Sequence, residues 1–195
     1  MKTALGILAT VMALVSYIPY FRDIFSGKTK PHAFSWLVWG SLTAIAFLGQ
    51  VSEGGGPGAW VTGFTAFVSF FIFVAALRQG EKDIARVDWL SLLGAGFALV
   101  LWWATDEPLL AVILITCIDA LGFFPTFRKS YHKPYQETAS TFAISSLKFV
   151  VAILALDNLT LVTWLYPASL VLMNGLFVIM LLVRRKKLGY VNVQV

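Results

Sequence analysis

Long apolar segments separated by short polar connections dominate the hydropathy pattern of this chain. Seven segments approach or reach the roughly 20 residues that a helix needs to cross a hydrocarbon core of about 30 Å. They cover residues 3–20, 33–52, 59–78, 88–105, 109–127, 139–157 and 161–183. Strands that cross a membrane are about half as long and alternate in polarity, and these segments do neither. Because backbone groups in lipid need internal hydrogen bonds, the pattern predicts seven transmembrane helices.

The composition supports a membrane protein rather than a soluble domain. Of the 195 residues, 58% are hydrophobic and 13% are charged, whereas soluble domains carry about 25% charged residues. The net charge of +5 does not indicate a nucleic-acid partner, because the basic residues flank apolar segments and act as topology signals. Residues 3–18 could be mistaken for a signal peptide, but no small-residue cleavage site follows them and the chain continues directly into Pro19. We therefore interpret the first segment as a membrane helix.

Lysine and arginine alternate in frequency from one connection to the next. Thirteen of the 15 follow the first, third, fifth and seventh segments: Arg22, Lys28, Lys30, Arg78, Lys82, Arg86, Arg128, Lys129, Lys133, Arg184, Arg185, Lys186 and Lys187. The other three connections carry acidic residues instead: Glu53, Asp106, Glu107 and Asp157. The positive-inside rule therefore predicts an inner (plasma) membrane protein with its N-terminus outside and its C-terminus in the cytoplasm.

The second half of the chain repeats the first at an offset of 106 residues. Identical pairs at this offset are Pro19 and Pro125, Phe21 and Phe127, Arg22 and Arg128, Ala33 and Ala139, Ala46 and Ala152, Leu48 and Leu154, Phe71 and Phe177, and Arg78 and Arg184. The single segment between the copies gives both the same orientation. The sequence therefore predicts an all-α fold of two parallel three-helix repeats and a linker helix, with the site near the midplane between them.

This interpretation divides the chain into four parts. Residues 1–78 form the first repeat, 79–108 the linker helix with its flanks, 109–187 the second repeat, and 188–195 a cytoplasmic tail.

A short motif recurs at the cytoplasmic end of the first helix of each repeat. Pro19–Arg22 (PYFR) and Pro125–Arg128 (PTFR) are each followed by a basic connection and a serine that opens the next helix, Ser35 and Ser140. With the seven-helix plan and the outside N-terminus, this resembles the PQ-loop and SWEET-type transporter superfamily. In that family a glutamine follows the proline, and here Tyr20 or Thr126 takes its place.

The resemblance implies a carrier that works by alternating access. SWEET-type carriers have an asparagine on the last helix of a repeat, which Asn174 matches, and the first repeat has Val68 at the aligned position with Ser69 next to it. Proton-coupled members of the group place an acidic residue on the fifth span. The repeated prolines, Pro19 and Pro125, are predicted to act as hinges of a gate, because proline can kink a helix.

Two charged residues lie in the middle of apolar segments. Asp119 is near the centre of the fifth segment and Lys148 is at the centre of the sixth, so both are predicted at the same depth. Each costs roughly 2.5–3.5 kcal/mol at a helix centre and should face the protein interior. Two interpretations are open: a static ion pair, or a substrate or proton site in which Lys148 holds an anionic group or Asp119 takes up a proton. The counterparts, Ala13 and Leu42, show that the repeat itself requires neither charge.

Further polar and aromatic side chains complete the candidate substrate site. Ser145 lies within one turn of Lys148, and Asn174 and Ser69 lie near the middle of the last helix of each repeat. Trp36 and Trp39 are one turn apart on the second helix. Trp36 is expected to anchor the helix at the cytoplasmic interface, whereas Trp39 is deeper and can stack on a ligand.

The sequence thus predicts a carrier for a small polar solute such as a sugar, a vitamin, or an organic or amino acid. Facilitated diffusion and proton coupling through Asp119 both remain open. The alternative is a receptor or assembly factor of the same fold without transport activity. The chain contains no catalytic or phosphate-binding motif, and His32 and His132 have no second ligand at metal spacing. We therefore expect no enzyme activity, metal or cofactor, with the bilayer and the solute as partners and a homo-oligomer left open.

Overall fold

In the computed structural model, which describes residues 1–81 and 86–192, the described residues form seven α-helices. These are α1 (Lys2–Phe25), α2 (Ala33–Ser52), α3 (Trp60–Gln79), α4 (Arg86–Thr105), α5 (Pro108–His132), α6 (Ala139–Leu154) and α7 (Leu161–Asn192). Two 3₁₀ segments, Gly56–Ala59 and Pro134–Gln136, precede α3 and α6. Only the backbone is described for Val87, Asp88, Ser91, Ala95, Ala98, Leu99, Trp102, Tyr190, Val191 and Asn192. Lys82, one of the predicted cytoplasmic charges, and the end of the predicted tail, 193–195, lie outside the described residues.

The described residues form no strand, which confirms the predicted all-α class. Five segments within the described part are long and apolar enough to cross a membrane: α1, α2, α3 with its preceding 3₁₀ segment, α5, and α7 as far as Gly189. α6 is apolar but has only 16 residues, and α4 is not among the five. The described part of the chain is therefore all-helical and contains five candidate membrane spans.

Apolar side chains cover much of the outer surface, while many polar side chains lie inside. Exposed apolar residues include Ile7, Val11, Leu14 and Ile18 on α1, Phe67, Phe71 and Val74 on α3, and Leu172, Ile179 and Leu182 on α7. Buried polar residues include Ser16, Thr43, Gln50, Thr65, Asp119, Lys148 and Asn174. Soluble monomers rarely expose apolar patches of this extent, so the surface indicates contact with lipid.

The first two helices of each half begin at equivalent positions. α5 begins at Pro108 and α6 at Ala139, each 106 positions after α1 begins at Lys2 and α2 at Ala33. Glycine with positive φ follows the first two helices, Gly27 (φ 72°) after α1 and Gly54 (φ 65°) after α2. Residues with a Cβ rarely adopt this left-handed conformation, which is why glycine stands at these helix ends.

The helices form two groups, which we name the first triplet (α1–α3) and the second triplet (α5–α7). Within the first triplet α3 packs against both α1 and α2, and within the second α7 packs against both α5 and α6. The triplets meet mainly where α1 packs on α6 and α2 packs on α5. α4 packs against α5 and α2. The centre of the molecule therefore lies between α1, α2, α5 and α6.

Candidate functional site

A cavity lies where the two triplets meet. Its lining includes residues from all six helices of the triplets: Tyr17, Trp36, Trp39, Thr43, Thr65, Ser69, Phe123, Thr141, Phe142, Ser145, Lys148, Phe149, Leu170 and Asn174. Six of these fourteen residues are aromatic, and hydroxyl groups, indole N–H groups, one amide and one ammonium supply the polar atoms. Such a mixture of apolar walls and a few polar groups is typical of small-molecule sites.

The lining residues are related by the sequence repeat. Four positions on α1 and α2 recur 106 residues later as lining positions on α5 and α6: Tyr17 and Phe123, Trp36 and Phe142, Trp39 and Ser145, and Thr43 and Phe149. The two halves of the sequence therefore present equivalent positions to one shared space. This relation was a signal in the sequence, because the first two pairs are aromatic in both copies.

Five of the six predicted substrate-binding residues line this cavity: Trp39, Ser69, Ser145, Lys148 and Asn174. They come from α2, α3, α6 and α7, so the fold gathers residues that are more than one hundred positions apart. The sixth, Asp119, is buried in α5 and is not part of the lining.

Lys148 connects the two triplets at the cavity wall. Its ammonium donates hydrogen bonds to the Thr65 hydroxyl at 3.0 Å and to the Tyr17 hydroxyl at 3.3 Å, both on the first triplet. The same nitrogen lies 4.7 Å from the centre of the Tyr17 ring and 5.0 Å from that of Phe149, within cation–π range. An ammonium has three N–H donors, so these two hydroxyl acceptors leave one donor for another group.

Asp119 reaches the cavity through a chain of hydroxyl groups. The Tyr166 hydroxyl on α7 donates to its Oδ1 at 3.3 Å and lies 3.0 Å from the Thr43 hydroxyl on α2. Thr43 lines the cavity. The second carboxylate oxygen, Oδ2, is buried and has no hydrogen-bond partner among the described residues. Asp119 is thus placed behind the cavity wall with one oxygen unused.

Asp119 and Lys148 do not form the ion pair that their equal depth suggested, as far as the described residues show. α6 packs on α7 and α1, whereas α5 packs on α7, α2 and α4. The carboxylate is therefore engaged by Tyr166 of α7, and the ammonium by Tyr17 of α1 and Thr65 of α3. Depth along a helix could be predicted from the sequence, but the order in which the helices pack could not. The geometry does not support the static-pair interpretation.

The prediction that Trp36 anchors α2 at the interface is wrong. Its side chain is only 5% exposed and lines the cavity, and its Nε1 donates to the Tyr20 hydroxyl at 3.1 Å. Its ring lies 5.1 Å from that of Trp39, which in turn lies 4.6 Å from Phe123. Rings of α1, α5 and α6 lie against Trp36 and Trp39, so this tryptophan near a helix end is covered by protein and not by lipid headgroups.

The two repeated prolines lie inside α1 and α5, and the residues after them connect the triplets. After Pro19, the Tyr20 hydroxyl donates to Glu137 at 3.3 Å, in the connection before α6. After Pro125, the Thr126 hydroxyl donates to the Ser35 hydroxyl on α2 at 3.0 Å. Each proline is therefore followed by a side chain that holds the opposite triplet.

A buried ion pair lies beside these contacts. The Lys129 ammonium is 2.5 Å from the Glu137 carboxylate, with side chains 5% and 1% exposed, and it also donates to the Lys30 carbonyl. Burial raises the pKa of Glu137 above its usual range, and the Lys129 ammonium offsets part of that effect. This pair was not predicted, because Lys129 was interpreted only as one of the basic topology signals after the fifth segment.

Other contributors to the site were also missed, notably Tyr17, Thr43 and Thr65. Each is a hydroxyl within an apolar helix, which is a sequence signal, although such hydroxyls often bond only to a carbonyl of their own helix. Thr65 does both, because it donates to the Val61 carbonyl and accepts from Lys148.

Comparisons with protein-family models, with curated proteins and with solved structures found no match for this chain. No group of three or more histidine, cysteine, aspartate or glutamate residues in the described part of the chain could hold a metal ion. The cavity between the triplets is therefore the feature from which a function is argued.

Proposed function

We propose that this protein is an integral membrane carrier that moves a small polar solute by alternating access of its two triplets. The observation that carries the proposal is the shared cavity, whose lining comes from all six helices and includes four pairs related by the repeat. Two equivalent bundles that meet at a central site can rock against each other and expose it to either side in turn.

In this proposal all seven helices cross the bilayer as two three-helix repeats joined by α4. The packing supports it, because exchanging α1, α2 and α3 for α5, α6 and α7 turns the contacts of one triplet into those of the other. The same exchange turns the contact of α1 with α6 into that of α5 with α2. α6 is short, at about 24 Å for 16 residues, and a thinner local bilayer accommodates such a span.

Membership of the PQ-loop and SWEET-type superfamily is part of the proposal. Its support is the position of Pro19 and Pro125 at corresponding places in α1 and α5, where the next side chains, Tyr20 and Thr126, bond to the opposite triplet. These contacts suit a gate that opens when the triplets separate at that end. The alternation of basic connections supports a cytoplasmic location for this end and for the C-terminus.

The contacts of Asp119 favour the proton-coupled form of the proposal. The carboxyl group is buried, and Tyr166 and Thr43 connect it to the cavity. A proton taken up there changes the charge beside the solute without placing Asp119 in contact with it. Such coupling would let a pH gradient drive accumulation of the solute.

Counterflow in proteoliposomes tests the proposal. Vesicles loaded with unlabelled glucose, lysine, lactate or nicotinate are diluted into the labelled compound, and we expect at least one to enter faster than into protein-free vesicles. Ser145→Trp fills the cavity and should abolish this entry, whereas Leu147→Trp, on the outer face of α6, should retain it. A compound that binds but shows no counterflow would indicate the receptor alternative.

A further inference from the structure

We infer that the solute is a small organic monocarboxylate with a flat or apolar body, and that Lys148 selects its charge. The inference rests on the proposed carrier function and names the class of compound that the cavity accepts. Lys148 is the one charged residue among the described residues that line the cavity.

No countercharge lies against the Lys148 ammonium among the described residues. The acceptors of the buried Lys148 ammonium are two neutral hydroxyls, on Thr65 and Tyr17. A hydroxyl–ammonium hydrogen bond does not neutralise the charge, and a charge held away from water is costly until an opposite charge meets it. A carboxylate in the cavity would accept the remaining N–H and form a charge-assisted hydrogen bond, which is roughly twice as strong as a neutral one.

The described lining residues leave few polar groups for a polyhydroxylated solute. The Asn174 amide donates to the Leu170 carbonyl at 2.7 Å, and the Ser69 hydroxyl donates to the Thr65 carbonyl at 2.8 Å. These bonds lie within their own helices. They leave the second N–H of Asn174 and the Trp39 indole N–H, which is buried without a hydrogen-bond partner among the described residues. A sugar would leave several hydroxyl groups against aromatic walls, where unpaired polar groups are costly.

Aromatic rings shape the walls of the cavity. Rings of Trp36, Trp39, Phe123, Phe142 and Phe149 line the space around the ammonium. They favour a planar or apolar body, and a single ammonium balances a single negative charge. Dicarboxylates and phosphate would bring a second charge with no cation to receive it among the lining residues described.

The test compares acids with their uncharged amides of nearly the same shape. Benzoate, nicotinate and lactate are titrated against purified protein beside benzamide, nicotinamide and lactamide, with glucose and inorganic phosphate as further probes. Binding is followed by the thermal shift and by the fluorescence of Trp36 and Trp39, which line the site. We expect at least one acid to bind about tenfold or more tightly than its amide, as a hydrogen bond to a charged group predicts.

Lys148→Met should weaken binding of that acid about tenfold or more, while Lys148→Arg keeps the charge and most of the affinity. Lys148→Met replaces a buried charged side chain by an apolar one of similar length, so we expect the variant to fold. Leu147→Met, on the outer face of α6, is the matched control. Equal binding of acid and amide, binding of glucose or phosphate in preference, unchanged binding by Lys148→Met, or no binding of any acid would overturn the inference.

Different results would overturn the carrier function and the charge selection by Lys148. Counterflow of a neutral solute, unchanged in Lys148→Met, would overturn the assignment of Lys148 and leave the carrier intact. An acid that binds through Lys148 but never enters vesicles would overturn the carrier function and leave charge selection by Lys148 in place.

Discussion

Polar side chains inside the bundle bond to helices that are distant in sequence. Lys148 donates to α1 and α3, Asp119 accepts from α7, and Gln50 on α2 donates to the Thr163 carbonyl on α7 at 2.8 Å. In a bilayer water is not available as an alternative hydrogen-bond partner for these groups, so each contact fixes the position of one helix relative to another.

The Lys129–Glu137 pair should make stability depend on pH once its cation is removed. Lys129→Met leaves the carboxylate buried without an ammonium, which raises the pKa of Glu137 further above its usual value of 4.5. Because the pKa of Glu137 is then higher in the folded than in the unfolded state, the loss of folding stability is absent at low pH. It grows as pH rises through the folded-state pKa. We expect a loss of about 3–5 kcal/mol near pH 8, largely recovered near pH 5, in thermal unfolding in detergent.

Two variants control this prediction. Adding Glu137→Gln to Lys129→Met should remove the pH dependence, because no carboxylate remains to titrate. Lys133→Met breaks a more exposed pair with Glu81 and should cost less than about 1 kcal/mol. A loss in Lys129→Met that is the same at both pH values would show that packing, and not the buried charge, is responsible.

Asp119→Asn tests proton coupling. Asparagine keeps an oxygen acceptor for the Tyr166 hydroxyl but does not titrate. We expect uptake driven by a pH gradient to be lost while exchange of labelled for unlabelled solute continues, both measured in proteoliposomes. Asp106→Asn is the matched control, since Asp106 is exposed between α4 and α5 and its positive φ of 52° suits asparagine. Intact pH dependence in Asp119→Asn would contradict the role given to Asp119.

A glycine permits a close approach between the 3₁₀ segment before α3 and the C-terminal end of helix α6. A Cβ at Gly58 would lie 2.7 Å from the Ala152 carbonyl oxygen and 2.8 Å from the Leu156 nitrogen, which are backbone atoms. Gly58→Ala should therefore lower the free energy of unfolding by about 1–3 kcal/mol. A Cβ at Gly96 on α4 would have no atom of the described residues within 4 Å, apart from the backbone of its own helix. Gly96→Ala should therefore cause no loss of stability. Equal thermal stability of the two variants would show that this contact is not tight.

The helix limits could be predicted from the sequence more reliably than the packing. The seven apolar segments correspond to α1–α7, because length and polar breaks are local properties, although α7 continues to Asn192 through most of the predicted tail. Which helix lies beside which is not local. Lipid and protein interior are both apolar, so the periodicity that marks the buried face of a soluble helix is weak here. Asp119 and Lys148 were therefore assigned to one site although they contact different helices.

The candidate site was predictable where a residue is costly in lipid, and less so elsewhere. Lys148, Asn174 and Ser145 stood out because polar groups at membrane depth need a reason to be there. Trp36 did not stand out, because tryptophan is also common at membrane–water interfaces. Glu137 was missed because nothing in its local sequence shows that three helix ends would cover it.

For the whole molecule, the charge pattern predicts one orientation. A reporter protein that is active only in the cytoplasm should be active when it is fused after residue 195, because the four basic residues Arg184–Lys187 precede the fusion point. Fusion within the connection between α2 and the following 3₁₀ segment should give the opposite result. An external C-terminus would reverse the orientation and place the Pro19 and Pro125 contacts on the outer side.

A carrier that works by alternating access opens the cavity between the triplets to each side of the membrane in turn. Cys117, which is exposed on α5, is first replaced by alanine, and single cysteines are then placed at Ser145 in the cavity and at Leu147 on the outer face of α6. A charged, membrane-impermeant thiol reagent is applied to right-side-out and to inside-out vesicles. Alternating access predicts that the cysteine at position 145 reacts in both preparations and that the one at 147 reacts in neither. Reaction of position 145 from one side only would contradict the carrier and indicate a pocket with a single opening.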